Sequence, residues 1–125
     1  MPAIIVIGAS RDQVKYGNRA VRAYKDAGYQ VFPVNPAAEK IEGLKAYAKM
    51  EDLPAKLSQL ATIYTPPEVT AKLLPALAKY GVKQAYFNPG AETDALVEQA
   101  RSLGIQPILA CSITAIGRSP ADYAP

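Results

Sequence analysis

The sequence contains no histidine, no tryptophan and one cysteine, Cys111. The missing histidine removes the commonest general base, the commonest metal ligand and a phosphohistidine route, so we expect neither histidine catalysis nor a zinc site. A single cysteine forms no intramolecular disulfide, which indicates a reducing compartment. We interpret Cys111 as a small apolar filler rather than a nucleophile, because no base stands beside it in the sequence.

Long apolar runs are also missing, since none approaches the roughly 20 residues of a membrane span. The first strand begins almost at the start of the sequence, so we expect no signal peptide and a cytosolic location. The net charge is only +3. Lysine and arginine are scattered along the chain and do not form the dense basic face that is typical of nucleic-acid binding. We therefore expect neither nucleic acid nor a membrane as a partner.

The chain has enough apolar material to build one domain. Half of its 125 residues are hydrophobic, which suits a single domain over residues 1–125. Strand-like and helix-like segments alternate along it, separated by glycine and proline. We predict strands over 3–7, 30–34, 45–48, 60–64, 84–87 and 106–110, helices over 18–27, 50–57, 65–80 and 92–103, and an irregular tail over 112–125 that forms a loose helix or a wrap.

This alternation is typical of a parallel sheet built from right-handed crossovers. We predict an α/β fold of the Rossmann-like, doubly wound type, with helices on both faces of a mainly parallel sheet in three αβα layers. The predicted strand order is 3-2-1-4-5-6. In that order the chain reverses beside strand one, so a ligand is expected between the loop after Ile7 and the loop after Tyr64.

The third predicted helix carries local signals of its own. Glu68 follows Thr65 at the spacing of a capping box, which predicts that Thr65 caps the helix. Pro75 predicts a bend or an early end. Apolar residues at helical spacing predict its buried face, which consists of Val69, Leu73, Leu77 and Tyr80.

The loop after strand one begins like a dinucleotide-binding turn and then departs from it. Gly8 permits a sharp turn. The second and third glycines of the dinucleotide fingerprint are replaced by Ser10 and Gln13, and the next glycine is Gly17. The loop before the helix is therefore longer than the standard turn.

The longer loop is also basic, since Arg11 and Lys15 lie within it. Ser10 can donate a hydroxyl hydrogen bond, and free amides at a helix start favour anions. Each cation taken alone is equally well explained as a solvated surface charge, and we interpret Arg22 in the following helix in that way. Taken together, these groups predict a ligand that carries phosphate.

Strand two ends in Val34-Asn35-Pro36, without the Asp or Glu that commonly binds the adenosine ribose of NAD. Asn35 is neutral, so it tolerates a phosphate on that ribose, which a carboxylate would repel. Coenzyme A carries a 3′-phosphate in addition to its pyrophosphate. The absent carboxylate and the basic loop therefore point to the same ligand.

Seven segments together resemble the small stand-alone CoA-binding proteins with a Rossmann-like fold. These are similar to the amino-terminal domain of the succinyl-CoA synthetase alpha subunit. The segments occur in family order and span nearly all of residues 3–111. They are IIVIGAS (4–10), KYGN (15–18), AGYQVFPVNP (27–36), IEGLKAY (41–47), IYTPPE (63–68), YFNPGAE (86–92) and RSLGIQPILAC (101–111).

The resemblance implies coenzyme A or an acyl-CoA as the ligand. It places phosphates near Gly8, Ser10 and Lys15, the adenine beside Asn35 and the pantetheine arm near Asn88, with the loop that opens the third predicted helix closing over the ligand. The implied binding residues are Gly8, Ala9, Ser10, Arg11, Lys15, Tyr16, Gly17, Asn18, Val34, Asn35, Pro36, Thr65, Pro66, Pro67, Asn88 and Gly90.

Two positions depart from the pattern of that family. A basic residue often follows its Asn-Pro pair, and this chain has Ala37 there. Lys40 can take over that role only if the turn bends back. An Asp-Arg-Cys run often follows the last strand of the family, and this chain has Leu109-Ala110-Cys111.

The sequence leaves functions of different classes open. The first is a binding module that holds CoA or an acyl-CoA without turning it over, as a sensor, carrier or accessory protein. The second is an enzyme, either a nicotinamide-dependent enzyme or a subunit of an acyl-CoA synthetase, whose partner subunit carries the phosphohistidine. A third is a domain that only mediates protein contacts. The protein partners expected are a second copy of the chain or a synthetase-like subunit.

Overall fold

Five parallel strands form the central sheet of the computed structural model, which describes residues 2–125. Their spatial order is β2-β1-β5-β6-β7. In chain order the elements are β1 (Ala3–Ile7), α1 (Tyr16–Asp26), β2 (Gln30–Val34), β3 (Lys40–Ile41), β4 (Leu44–Lys45), a 3₁₀ turn (Met50–Asp52), β5 (Leu60–Ile63), α2 (Pro67–Tyr80), β6 (Gln84–Phe87), α3 (Asp94–Ser102), β7 (Gln106–Leu109), α4 (Ser112–Ala115) and a second 3₁₀ turn (Pro120–Tyr123).

The three-layer arrangement can be followed along β1, whose side chains alternate between two cores as the period of a strand requires. Ile5 and Ile7 join the core that α2 and α3 cover, whereas Ile4 and Val6 join the core that α1 and α4 cover. A strand covered on both faces is apolar throughout, and this explains the unbroken run that opens the sequence. The predicted Rossmann-like α/β fold is confirmed.

The predicted strand over 45–48 is wrong as a member of the central sheet. Only Tyr47 reaches the sheet, where its N–H donates to the carbonyl of Pro33 at 2.9 Å and its carbonyl accepts from the N–H of Asn35 at 2.9 Å. The next bond of a parallel ladder would need an N–H at residue 33, and proline has none. The chain instead forms a separate antiparallel hairpin of β3 and β4.

The predicted capping box at Thr65 is also wrong, because the N-cap of α2 lies one residue later, at Pro66. Pro66 is the N-cap with φ −59° and ψ 154°, and no side chain caps the helix. A residue that precedes proline is driven out of the helical region, so Pro67 fixes Pro66 as extended chain. The Thr65 hydroxyl instead forms a hydrogen bond of 2.7 Å with that of Thr70.

The buried face of α2 differs from the predicted one. Thr70, Leu74 and Leu77 are the buried residues, whereas Val69 is 41% exposed. Pro75 does not end the helix, which continues to Tyr80. The prediction that Val69 belongs to the core is therefore wrong. One side of Val69 is open at the carboxyl end of the sheet.

The tail is more regular than predicted, since it contains α4 and the second 3₁₀ turn. Conversely, the helix predicted over 50–57 shrinks to the first 3₁₀ turn, Met50–Asp52. In residues 2–125 no helix combines the length and the apolar character that crossing a membrane requires.

Candidate functional site

A large cleft opens at the carboxyl end of the sheet, between the β1–α1 loop and the β5–α2 loop. Its volume is about 1010 Å³, at the upper end of the range typical of small-molecule sites. This is where the strand order reverses, as the sequence predicted. The residues that line the cleft are Ile7, Gly8, Ala9, Ser10, Lys15, Tyr16, Gly17, Val34, Asn35, Pro36, Ala48, Lys49, Ile63, Tyr64, Thr65, Pro66, Val69, Leu73, Asn88, Pro89, Gly90, Ala91, Cys111, Ile113 and Pro120.

Gly8 and Gly17, at the two ends of the β1–α1 loop, allow close contacts between backbone segments. Gly8 has φ +80°, and a Cβ there would lie 3.0 Å from the carbonyl carbon of Tyr64. Gly17 lies in the first turn of α1, and a Cβ there would lie 2.2 Å from the carbonyl oxygen of Gly8. Gly17 therefore gives the close helix–strand contact that the third glycine gives in the dinucleotide fingerprint, although the longer loop places it later in the sequence.

Asn18 is fully buried beneath the loop and holds it in place. Its amide nitrogen donates to the carbonyl of Ser10 at 2.8 Å and to the carboxylate of Glu42 at 3.0 Å. Its amide oxygen accepts from the Nε of Arg22 at 2.7 Å. Asn18 thus joins the β1–α1 loop, helix α1 and the β3–β4 turn, and it does not line the cleft.

Asn18 and the groups that it bonds, Ser10, Glu42 and Arg22, form a clamp on the loop, and Glu42 is its negatively charged member. The hydrogen bond from Asn18 lowers the pKa of the Glu42 carboxyl, and Gln13, Arg22 and Lys25 lower it further, while partial burial acts in the opposite direction. A carboxyl with a lowered folded-state pKa stabilises the protein above its unfolded value, and that contribution disappears as the pH falls through the folded-state pKa.

We expect Glu42→Gln to reduce the pH dependence of the free energy of unfolding at acid pH. The wild-type protein should lose the Glu42 contribution as the pH falls below about 4.5, the ordinary pKa of this group, and the variant has none to lose. The effect should be about 1 kcal/mol or less, since the group is partly solvated. Urea unfolding of both proteins at a series of pH values measures it. Identical pH dependence in the two proteins would contradict the clamp.

Most of the residues implied by the sequence resemblance line the cleft together. Three do not: Arg11, Asn18 and Pro67. Arg11 is exposed on the loop, whereas Asn18 acts from below it. Lys40, which was considered as a substitute for the missing cation at position 37, also lies away from the cleft, exposed on β3.

Asn35 lines the cleft, but its side chain is already bonded to the protein. Its amide nitrogen donates to the carbonyl of Ala9 at 2.8 Å, and its amide oxygen accepts from the N–H of Ala37 at 2.7 Å. Asn35 therefore ties the end of β2 to the β1–α1 loop. No carboxylate stands at this position, as the sequence showed.

Asn88 belongs to a buried polar network at the floor of the cleft. Its amide nitrogen donates to the Thr62 hydroxyl at 2.7 Å and to the Ile63 carbonyl at 3.0 Å, and its amide oxygen accepts from the N–H of Ser112 at 2.9 Å. The Ser112 hydroxyl accepts from Thr62 at 2.8 Å and is 3.0 Å from the Tyr64 hydroxyl. The network joins β5, β6 and α4, so the tail completes the site.

The tail is also fastened to α1, and this corrects the interpretation of Arg22 as a solvated charge. Arg22 donates to the carbonyl of Tyr123 and to that of Gln13, the latter at 3.1 Å. Arg19 donates to the carbonyl of Pro120 at 3.2 Å. Pro120 is thereby held at the cleft, which it lines.

Several residues of the cleft were missed by sequence reasoning. Val69 and Leu73 had been assigned to the core, and Cys111 had been interpreted as a filler. Cys111 follows β7, and the rule that ligands meet the carboxyl ends of strands was the available signal for it. No motif marked Lys49. The missed residues are Ile7, Ala48, Lys49, Ile63, Tyr64, Val69, Leu73, Ala91, Cys111, Ile113 and Pro120.

The ionisable groups of the cleft favour an anionic ligand. Lys15 and Lys49 line it, and among the described residues no Asp or Glu side chain does. Burial raises the pKa of Tyr64 to about 12, although its hydrogen bond with Ser112 opposes this shift. Tyr64 is therefore a neutral phenol near pH 7 and does not serve as a base.

Residues 2–116 match the family model described as the CoA binding domain. The chain belongs to this family. The CoA-binding domain is similar to the ADP-forming acetate–CoA ligase of Methanocaldococcus jannaschii, with 34% identity over 83 residues, which are 66% of this chain and 12% of that ligase. It is also similar to the alpha subunit of the ADP-forming acetate–CoA ligase II of Pyrococcus furiosus, with 36% identity over 81 residues, which are 64% of this chain and 18% of that subunit. The chain spans less than a fifth of the length of these curated relatives.

Solved structures show the same architecture as this CoA-binding domain. A conserved hypothetical protein from Pyrococcus furiosus superposes with a TM-score of 0.80 and 30% identity, covering 90% of this chain and 94% of that one. The dinucleotide-forming acetyl-coenzyme A synthetase 1 of Ca. Korarchaeum cryptofilum, in complex with phosphate and ADP, superposes with a TM-score of 0.75 and 32% identity, covering 86% of this chain and 25% of the synthetase chain.

Proposed function

We propose that the protein binds coenzyme A or an acyl-CoA in the cleft and does not turn it over. The observation that carries the proposal is the charge of the cleft, which has two lysines and, within residues 2–125, no carboxylate in its lining. A ligand with a pyrophosphate and a ribose phosphate is repelled by acidic groups and attracted by such a surface. Membership of the CoA-binding domain family supports the same ligand.

The β1–α1 loop is well suited to hold the phosphates. The first N–H groups of α1 have no partner within the helix, and they lie where Tyr16 and Gly17 line the cleft beside Lys15. Helix starts of this kind bind anions. The Asn18 clamp and the Gly8–Gly17 contact hold this surface in shape before any ligand arrives, which reduces the ordering cost of binding.

The lining of the cleft offers little for catalysis, and this favours a sensor or accessory role. The side chains that can ionise there are Lys15, Tyr16, Lys49, Tyr64 and Cys111. A nucleophilic cysteine needs a neighbouring base, and in the part of the chain that the structure describes no carboxylate or imidazole lines the cleft beside Cys111.

The alternative is that the domain supplies the CoA site of a larger acyl-CoA synthetase. Its curated relatives are ADP-forming acetate–CoA ligases of which it matches only a small part. In that case a synthetase-like partner subunit supplies the phosphate-transferring groups. A nicotinamide-dependent enzyme is the weaker alternative, because Asn35 stands where an NAD site commonly has a carboxylate.

Isothermal titration with CoA and with NAD tests the proposal. We expect CoA to bind at least about tenfold more tightly than NAD, and Ser10→Trp to abolish CoA binding, because an indole at Ser10 fills the cleft beside the phosphate loop. Ser102→Trp adds the same ring at the exposed end of α3 and serves as the matched control. Thermal unfolding confirms that both variants fold.

Three outcomes would count against the proposed site or ligand. They are no CoA binding by the wild-type protein, tighter binding of NAD, and CoA binding that survives Ser10→Trp unchanged. Co-purification of a second subunit with the native protein, together with acyl-CoA synthesis by the complex, would favour the synthetase alternative.

A further inference from the structure

Two lysines reach the cleft from separate parts of the chain. Lys15 is the N-cap residue of α1 and belongs to the loop that follows β1. Lys49 directly precedes the first 3₁₀ turn and lies two residues after Tyr47, the residue that pairs with the end of β2. The two cations therefore belong to different parts of the cleft wall, the first to the loop after β1 and the second to the segment that follows the residue paired with β2.

Lys49 has no other function that the structure shows. It is exposed to solvent on the cleft side. It takes part in no ion pair among residues 2–125, where Arg101 and Glu98 form the single one. An unpaired ammonium group on the wall of a cleft that has no acidic side chains is available to an anionic group of a ligand.

The position of Lys49 determines which part of a ligand it meets. In doubly wound folds the adenosine ribose lies at the end of the second strand, which here is the segment from Val34 to Pro36. Asn35 is neutral there, and its amide is bonded to Ala9 and Ala37. Two backbone hydrogen bonds hold Tyr47 against this segment, one of them from the N–H of Asn35 to the carbonyl of Tyr47 at 2.9 Å. Lys49 is thereby held beside the ribose end of the cleft.

We propose that Lys49 is the residue that selects ligands whose adenosine ribose carries a phosphate. The inference rests on the proposed function, since it assumes that an adenosine carrier occupies the cleft. Lysine binds phosphate as a point charge, so Lys49 takes the place of the cation that is absent at Ala37. Lys15 contacts the pyrophosphate, which ligands with and without the ribose phosphate share.

The test compares CoA with dephospho-CoA by isothermal titration on the wild-type protein, Lys49→Ala, Lys49→Arg, Lys15→Ala and Lys40→Ala. Wild-type protein should bind CoA more tightly by about tenfold or more, a difference that charge-assisted contacts commonly supply. Lys49→Ala should remove that preference by weakening CoA binding alone, and Lys49→Arg should retain it. Lys15→Ala should weaken both ligands alike. Lys40→Ala, an exposed lysine outside the cleft, should change neither.

The salt dependence gives a second measurement, because exposed charges are screened. The preference of the wild-type protein for CoA should shrink between 50 and 500 mM salt, roughly as screening predicts, while Lys49→Ala shows no preference at either concentration. Lys49 is exposed, so its variants should keep the melting temperature of the wild-type protein.

The outcomes separate the inference from the proposed function. If CoA binds and Lys49→Ala leaves the preference intact, or weakens both ligands equally, the assignment of Lys49 is wrong and the CoA site stands. Equal binding of the two ligands by the wild-type protein also overturns the assignment. If the wild-type protein binds neither ligand, the proposed function fails and the assignment fails with it.

Discussion

Gly17→Ala should unfold the start of α1 and abolish ligand binding, with a loss of about 3 kcal/mol in the free energy of unfolding. The new methyl carbon would lie 2.2 Å from the carbonyl oxygen of Gly8, and neither atom belongs to a flexible side chain. Overpacking of this kind costs about 1–3 kcal/mol and more where backbone must move. Thermal unfolding should show a fall of roughly 10 °C for a domain of this size, and titration should show no CoA binding.

Gly104→Ala is the matched control for this prediction. Gly104 has φ +80° but nothing within 4 Å of the position of a Cβ, and it lies after α3, away from the cleft. It should cost only the backbone strain of about 1–2 kcal/mol and leave CoA affinity unchanged. A Gly17→Ala protein that melts within 2 °C or so of the wild type, a span worth well under 1 kcal/mol, would show that the helix does not approach Gly8 as described.

Asn88→Ala should destabilise the protein by about 3–5 kcal/mol and loosen the tail. The substitution leaves the N–H of Ser112 and the carbonyl of Ile63 without partners in a buried environment. Each unsatisfied buried group costs about 1–3 kcal/mol, and the lost side chain adds a cavity. Urea unfolding measures the loss, and limited proteolysis should show faster cleavage after Cys111.

Gln84→Ala provides the comparison, because Gln84 begins the strand β6 that Asn88 directly follows. The Gln84 amide makes one exposed hydrogen bond of 3.3 Å, to Gln106, so its removal should change the free energy of unfolding by less than about 0.5 kcal/mol. Equal effects of the two substitutions would mean that the network at the floor of the cleft is not buried as described. If the tail of Asn88→Ala resists proteolysis as well as the tail of the wild-type protein, the loss of stability does not come from a loosened α4.

The five strands of the central sheet could be predicted because the signals for each strand are local, and their relative order followed from the general rules for alternating strands and helices. The apolar run from Ile4 to Ile7 can only suit a strand that is covered on both faces, and glycines end the helices between strands. The position of the cleft followed from the strand order alone. The family resemblance added the expectation of a CoA-type ligand and about half of the residues that line the cleft, including Asn35 and Asn88.

Two of the errors arose where two local signals compete. In α2 the spacing of Thr65 and Glu68 favours a cap at Thr65, but Pro67 forces Pro66 to be extended and moves the start of the helix. In β2 the apolar pattern favours a strand with neighbours on both sides. Pro33 has no N–H to bond a further strand, so the segment over 45–48 cannot extend the sheet. Both effects were open to prediction from the prolines, since the physical rules are simple.

The contacts of Asn18 and Arg22 and the position of Lys49 could not be predicted, because each depends on contacts between distant parts of the chain. Asn18 is joined to Glu42 in the β3–β4 turn, and Arg22 to Tyr123 in the tail. Lys49 is held at the cleft by the isolated bridge between Tyr47 and Val34 of β2. No spacing rule within one element marks such residues.

The way in which α4 finishes the floor of the cleft sets the boundary for any fusion or graft of this domain. A hybrid protein cut after the last strand would take away the backbone N–H that Asn88 needs and the carbonyl that Tyr24 bonds at 2.7 Å. It would also release Arg22 from the chain end. A transferable unit should therefore run through Tyr123, well past the strand at which a designer working from sheet topology would stop.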